Sequence, residues 1–204
     1  MVYDSRGSET VEASVTTDAP SVVGRASAPS GASTGAHEVV AFPKGGVGAV
    51  LAQSHRISEA LRGADLDDPS AVDAALHAVD GSPTFERIGG NTATAVSVAA
   101  ALARAELSGR PLAEALRRPG VPAGRFPALV GNCLNGGRHA IGGPDIQEFL
   151  AFAPEARPED SVRVALAVHR AVGARLHAMF PDRALGRGDE GGWVASIGNV
   201  DALE

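Results

Sequence analysis

Three stretches of this 204-residue chain gather small and polar residues where regular elements should end, the usual place for binding and catalytic groups. The first is Ser30-Gly31-Ala32-Ser33-Thr34-Gly35, in which three hydroxyls sit among small residues. Such a segment can close over a ligand and offer oxygens to a cation, or it can be a flexible surface turn. It is not a phosphate loop of the P-loop kind, because no Gly-Lys-Ser/Thr follows. The second is Asn132-Cys133-Leu134-Asn135-Gly136-Gly137-Arg138-His139-Ala140. A His after a Gly-Gly turn can be held over a pocket, or can be a solvated loop His. The third is two acidic clusters: Asp145, Gln147 and Glu148, then Asp189 and Glu190 within Gly188-Asp189-Glu190-Gly191-Gly192. Acids flanked by three glycines are hard to explain by packing, although an acidic turn capping a helix has the same composition. Two carboxylates converging with a His would suit general acid/base work beside a bound cation.

The elements that must carry these groups follow from periodicity. Val11, Ala13 and Val15 alternate with polar residues, and a return strand over 22–28 follows a turn at Asp18-Ala19-Pro20-Ser21, which predicts a hairpin. Residues 38–42 read as a short strand. Val47, Val50, Leu51, Ser54, Ile57 and Leu61 share one helical face. Asp68-Pro69 starts a helix that Gly81 ends. An Ala-rich helix over 91–108 ends at Gly109, and Pro111 opens a short helix through Leu116. Strands followed by helices predict an α+β domain over 1–120, an antiparallel sheet with helices. After a linker over 117–122 the order becomes strand (127–130), loop, strand (148–152), long helix (162–180) and the Gly-rich turn.

Composition narrows the function. Charged residues are 21% and hydrophobic residues 44%, an ordinary globular balance. A net charge of −6 argues against a nucleic-acid partner. The single cysteine, Cys133, excludes an intramolecular disulfide framework and a cysteine zinc cluster. No apolar run approaches a membrane span and the N-terminus lacks a signal-peptide core, so a cytoplasmic setting is expected. Of 18 basic residues only Lys44 is a lysine. Lysine can give up its proton and act as a base and arginine effectively cannot, so this chain alone cannot supply a mechanism with two lysines.

Taken together, these segments resemble the enolase family, the glycolytic 2-phosphoglycerate dehydratases (phosphopyruvate hydratases). Asp4-Ser5-Arg6-Gly7 with Thr10-Val11-Glu12, Pro29 to Gly35, and Glu38 are similar to the family's opening. Asp80-Gly81 and Ile88-Gly89-Gly90-Asn91-Thr92-Ala93 resemble its middle region, with Gly90 and Thr92 departing from the usual Leu-Gly-Ala-Asn-Ala wording. Asn135 to Ala140, Asp145-Ile146-Gln147-Glu148-Phe149 and Gly188 to Gly192 resemble three more signatures in the right order, with Trp193 where Phe is commoner. Residues 73–78 and 188–193 are worded more like archaeal members.

The resemblance implies an α+β N-terminal domain over 1–120 and, over 123–204, the start of an incomplete β/α (TIM) barrel with an irregular first connection. It implies a lid loop at Ser30, Gly31, Ala32, Ser33, Thr34 and Gly35, with Ser33 contacting a second Mg2+. His139 would close on the substrate phosphate side, Gln147 would contact substrate, and Glu148 and Glu190 would be the paired acids, Glu190 the proton donor to the departing hydroxide. The substrate pair would be 2-phosphoglycerate and phosphoenolpyruvate, and the assembly a homo-oligomer, a dimer or octamer. A complete barrel takes about 250 residues. The resemblance also implies that the main magnesium ligands and the base lysine lie beyond this stretch, so both ends are expected to be truncated and the chain alone is expected to be inactive. A non-catalytic enolase-like binding protein and one half of a split enolase are the alternatives.

Overall fold

The structure, a computed structural model, describes residues 1–19, 21–31, 34–117, 120–121, 124, 126–154 and 157–204, the side chain of His139 excepted. The chain forms two compact units, Met1–Pro122 and Ala123–Glu204. The linker expected over 117–122 and the turn expected at 18–21 lie partly outside the described residues.

The first unit opens with β1 (Val2–Tyr3) and β2 (Glu9–Thr10), an antiparallel pair that periodicity does not reveal because each has two residues. The expected hairpin is β3 (Glu12–Thr16) and β4 (Val23–Ser27), in register from Glu12↔Ser27 to Thr16↔Val23. Residues 38–42 form no strand, contrary to expectation. Their backbone groups bond individually: Val40 N donates to Thr84 O (2.9 Å), and Val40 O accepts from Gly90 N (2.7 Å). Loop partners satisfy this backbone where a ladder was expected.

The single helix expected from Val47 to Leu61 is two, α1 (Gly46–Ala52) and α2 (Ser54–Leu61), interrupted at Gln53. Gln53 instead sends its Nε2 to Arg87 O (2.5 Å). In α3 (Pro69–Asp80) the expected ends hold: the Asp68 carboxylate accepts from Ser70 N (3.0 Å), Pro69 opens the first turn, and Gly81 closes the helix at φ 68°. The Ala-rich α4 (Gly90–Ser108) ends at a left-handed Gly109, and α5 (Leu112–Ala115) follows Pro111.

Small residues set the packing of this unit. A Cβ at Gly24 of β4 would collide with Ala99 O and Ala103 N of α4, so helix and strand backbones lie in direct contact. Ala95, Ala99 and Ala103 are wholly buried there. On the other side Ile57, Val72, Leu76, Ile88 and Val96 form the main core. Complete burial of each such side chain stabilises the fold by ~1.5–3 kcal/mol.

The second unit begins with β5 (Val130–Asn135), longer and later than the strand expected over 127–130. It pairs antiparallel with β6 (Glu148–Phe152). Helix α6 (Pro158–Met179) packs on β5, β6 and β8. β7 (Gly186–Arg187) and β8 (Trp193–Val194) flank the Gly-rich turn, and α7 (Asn199–Leu203) closes the unit. The sheet order is β6-β5-β8-β7, and β5 runs parallel to β8 through Leu134↔Trp193. An antiparallel first hairpin followed by a helix and a parallel strand is the irregular opening expected of the barrel, and among the described residues the barrel does not close. The α6 side of the sheet is filled by Leu134, Phe149, Val172, Leu176 and Trp193. On the opposite face Val130, Leu150 and Phe152 are exposed.

Candidate active site

The site in the second unit is organised by one irregularity of β5. Asn132 pairs with Leu150 of β6 and Leu134 with Phe149, so two steps on β5 match one on β6. This is a β-bulge at Cys133. Side chains three residues apart on a regular strand face opposite sides. Here the extra residue puts Asn132 and Asn135 on one face, with Leu150 and Glu148, their partners across the ladder. Leu134 is thereby turned toward α6. Cys133 is buried, and burial pushes its thiol above the usual range.

The Gly-rich turn lies on these two amides. It is closed by Gly188 N to Gly192 O and Gly191 N to Gly188 O, each 2.9 Å. A Cβ at Gly188 would stand 2.8 Å from Asn135 Oδ1, and one at Gly192 2.5 Å from the Oδ1 of both Asn132 and Asn135. Only glycine allows the turn to sit this low. Asn132 Nδ2 donates to Glu190 Oε2 (3.0 Å). Asn135 is wholly buried and pairs across the ladder with Glu148. Both acids are thus tied to β5, although they lie 42 residues apart in sequence.

Helix α6 braces the turn from the other side. Trp193 Nε1 donates to His169 O (2.9 Å), and His169 Nε2 stands 3.0 Å from Gly191 O. The indole stacks on His169 (5.6 Å between centroids), meets His177 edge-on (5.4 Å) and lies under the Arg187 guanidinium (4.6 Å). A Cβ at Gly173 would come within 2.5 Å of the indole. The Trp193 departure is therefore accommodated by a glycine on the facing helix.

The loop from Gly136 to Gln147 returns the chain from β5 to β6. Gly136 N donates to Gln147 O (2.8 Å) and Gly137 N to Pro144 O (2.7 Å). Asn199 Oδ1 accepts from Asp145 N (2.8 Å) and Ile146 N (3.3 Å). Gln147 Nε2 donates to the half-buried Glu148 at Oε1 (3.0 Å). His139 ends a 3-10 turn, Gly137–His139. A neutral amide donor orients a carboxyl without adding charge, which suits a group that must exchange protons.

In the first unit the motif around Asp4 has a structural account. Asp4 Oδ1 accepts from Arg6 N and Ser8 N, each 2.9 Å. The Ser8 amide leads in holding its carboxyl below the usual range. Arg6 Nη1 then reaches Ser30 O (3.0 Å), and Asn91 Nδ2 donates to Ser30 Oγ (3.0 Å) and Ala28 O (3.1 Å). The near end of the small-residue stretch is held at Ser30 by two side chains, Arg6 and Asn91. At its far end Gly35 N donates to Glu38 Oε1 (2.8 Å), and Gly31, Thr34 and Gly35 are exposed. Ala32 and Ser33 lie outside the described residues. Among the described residues no group of three or more His, Cys, Asp or Glu side chains could hold a metal ion.

Within the second unit the structure brings Glu148 and Glu190 to β5 and places Gln147 beside Glu148. Sequence reading missed Asn132 and Asn135 as neighbours of both acids. Their spacing of three conceals a shared face unless the bulge is known. It also missed His169, whose place on α6 opposite the turn is not local information.

An antiparallel α+β unit followed by the irregular opening of a β/α barrel defines the class, a two-domain barrel protein. The family model for the enolase N-terminal domain matches residues 1–116, and that for the enolase C-terminal TIM barrel domain matches residues 124–204. The chain belongs to the enolase family. It is 44% identical to the enolase of Methanothermobacter thermautotrophicus, over all of this chain and 49% of that protein. It is 41% identical to that of Thermoplasma acidophilum and 44% identical to that of Halobacterium salinarum, in each case over the whole chain and 50% of the relative. The chain therefore spans about half the length of the curated relatives it matches. No helix among the described residues is long and apolar enough to cross a membrane.

Proposed function

We propose that this chain supplies the N-terminal domain (1–120) and the opening of the barrel (123–204) of a glycolytic enolase that interconverts 2-phosphoglycerate and phosphoenolpyruvate. In this reading a base takes the proton from C2 of the substrate. The electron pair left behind forms the C2–C3 double bond, the C3–O bond breaks, and the leaving hydroxide takes a proton from Glu190 to depart as water. Glu148 is the paired acid, Gln147 contacts substrate, and His139 closes on the phosphate side. The Ser30–Gly35 stretch is the lid, and Ser33 contacts a second magnesium ion. Magnesium stabilises the doubly charged intermediate in this family, whose general pattern is a Lys or His base with one or two such ions. The described residues assemble no metal site of their own, and this reading places the main magnesium ligands in the rest of the enzyme. The same reading makes the complete protein a cytoplasmic dimer or octamer.

The observation that supports this reading is the tying of Glu148 and Glu190 to one face of β5. The single lysine of the chain, Lys44, lies in the first unit, and this reading assigns the base to the rest of the enzyme. The test is turnover of 2-phosphoglycerate with magnesium, read as phosphoenolpyruvate formed. The purified 204-residue chain should show none, and the protein at its full encoded length should turn over, with Glu190→Gln slowing it by about 100-fold or more. Turnover by the 204-residue chain would overturn the need for a base elsewhere. An inactive full-length protein would overturn the dehydratase reading.

A further inference from the structure

We propose that Asn132 is a positioning residue for the elimination step, aiming the Glu190 carboxyl, and that Asn135 is the buried platform that sets the height of the Glu190 turn. The inference rests on the dehydratase reading above for its catalytic part only. Three observations carry it.

The first is the direct bond from Asn132 Nδ2 to Glu190 Oε2 at 3.0 Å. Glu190 lies on a five-residue turn with three glycines, and the bond from β5 gives its side chain a direction that the turn's backbone alone does not set. The second is the fit of glycines to amides. Gly188 and Gly192 both lie where a Cβ would strike Asn135 Oδ1, and at Gly192 also Asn132 Oδ1. The turn rests on the two side chains and is not merely near them. The third is the state of those side chains. Asn132 Oδ1 and both amide atoms of Asn135 are buried without a hydrogen-bond partner among the described residues. Unpartnered buried amides cost stability and are rare in folded proteins. A purely structural account of the pair would favour an apolar residue at Asn135, so a requirement other than stability accounts for the amides.

The bulge at Cys133 gives the arrangement its geometry. Without it Asn132 and Asn135 would face opposite sides of β5, and no single strand could support the turn and hold Glu190 together. In this proposal Asn132 acts through Glu190, to which it is bonded. Its loss should therefore weaken proton delivery to the leaving hydroxide more than it weakens removal of the C2 proton.

Two measurements test this. In the 204-residue chain, the side-chain amide signals of Asn132 are followed by 15N NMR, with the wild type compared with Glu190→Ala. The expected result is a clear shift of the Asn132 signals and faster exchange of their protons with solvent in Glu190→Ala. Unchanged signals would overturn the contact. In the protein at full encoded length, Asn132→Leu and Asn132→Asp are assayed with 2-phosphoglycerate in deuterated water, recording both phosphoenolpyruvate formation and deuterium entering C2 of unreacted substrate. The ratio of elimination to exchange should fall by about 10- to 100-fold, with the loss in kcat and not in KM. Equal loss of both readouts in both variants would mean a structural role only and would overturn the proposal. If the wild type has no dehydratase activity, the function proposed above fails and the catalytic part of this proposal with it. The NMR comparison still decides whether Asn132 holds Glu190.

Discussion

Asp80 is wholly buried at the end of α3, and its carboxylate closes the loop that leads into α4. One oxygen accepts from Ser82 N (3.1 Å) and from the Ser82 hydroxyl, the other from Arg87 N (2.9 Å) and Ile88 N (2.8 Å). Between these anchors Phe85 takes a φ of 54°, a region that non-glycine residues seldom adopt, and its ring lies 4.6 Å from that of His77. Replacing Asp80 with Ala leaves buried amide donors without an acceptor. A hydrogen bond to a charged group contributes ~1.5–3 kcal/mol, and bonds sharing one carboxylate do not simply add. The expected cost of Asp80→Ala is therefore ~3–5 kcal/mol, a large part of the ~5–15 kcal/mol that holds a domain folded. Asp80→Asn is nearly isosteric but should cost ~2–4 kcal/mol, because its NH2 must face donors on one side or the other. The assay is urea unfolding, with hydrogen exchange at Arg87 and Ile88 following the first unit and fluorescence of the single tryptophan, Trp193, following the second. A cost below ~1 kcal/mol for Asp80→Ala, or an Asn variant as stable as the wild type, would refute the reasoning. The pH dependence has a definite sign. Burial opposes ionisation of Asp80, but the Ser82 hydroxyl and the Ile88, Arg87 and Ser82 amides outweigh it and hold the carboxyl below its usual range. Its contribution is fully present above the ordinary aspartate value of about 3.9 and is lost as pH falls through the lowered one. Asp80→Asn should accordingly flatten the acid limb of the stability curve.

Thr92 departs from the family's usual alanine, and its Oγ1 is buried without a partner among the described residues. Thr92→Val keeps the shape and removes the hydroxyl, so it should raise the urea midpoint of the first unit, by about 1 kcal/mol in stability. Gly173→Ala should destabilise the second unit by ~1–3 kcal/mol through collision with Trp193, read by thermal unfolding. The double variant Gly173→Ala with Trp193→Phe should recover part of that loss, and strictly additive costs would show that the two residues do not share the space.

Much of the first unit was legible because its signals are local. Asp68-Pro69, Gly81 and Gly109 mark helix ends by backbone chemistry that acts within a turn. Readings failed where a distant partner decided the outcome. Residues 38–42 have strand-like composition, but their backbone bonds go to Thr84, Gly90 and Asn91 and not to a neighbouring strand. Of the face expected from Val47 to Leu61, Val47, Val50 and Ile57 are buried, but Leu51 and Ser54 are exposed, because the helix breaks at Gln53, whose side chain reaches Arg87. The acids of the candidate site stood out because glycines flank them. The amides supporting them did not, because their common face exists only through the bulge at Cys133.

The departures from the family's wording carry a physical argument of their own. Gly90 stands where Ala is usual, and Val39 Cγ2 occupies the space that a Cβ at Gly90 would need. Trp193 stands where Phe is commoner, and Gly173 on α6 opens room for the larger ring, whose N–H then finds His169 O. In each case a glycine on one element leaves the space that a larger side chain on the segment packed against it fills. Close-packed interiors tolerate substitution when volume is conserved across the contact, and not otherwise. Thr92 lacks such a partner, since its added hydroxyl is met by no donor or acceptor among the described residues. Two departures of this kind are thus repacked, while Thr92 remains a cost that Ala or Val would remove, and the stability measurements on Thr92 and Gly173 should differ in sign for that reason.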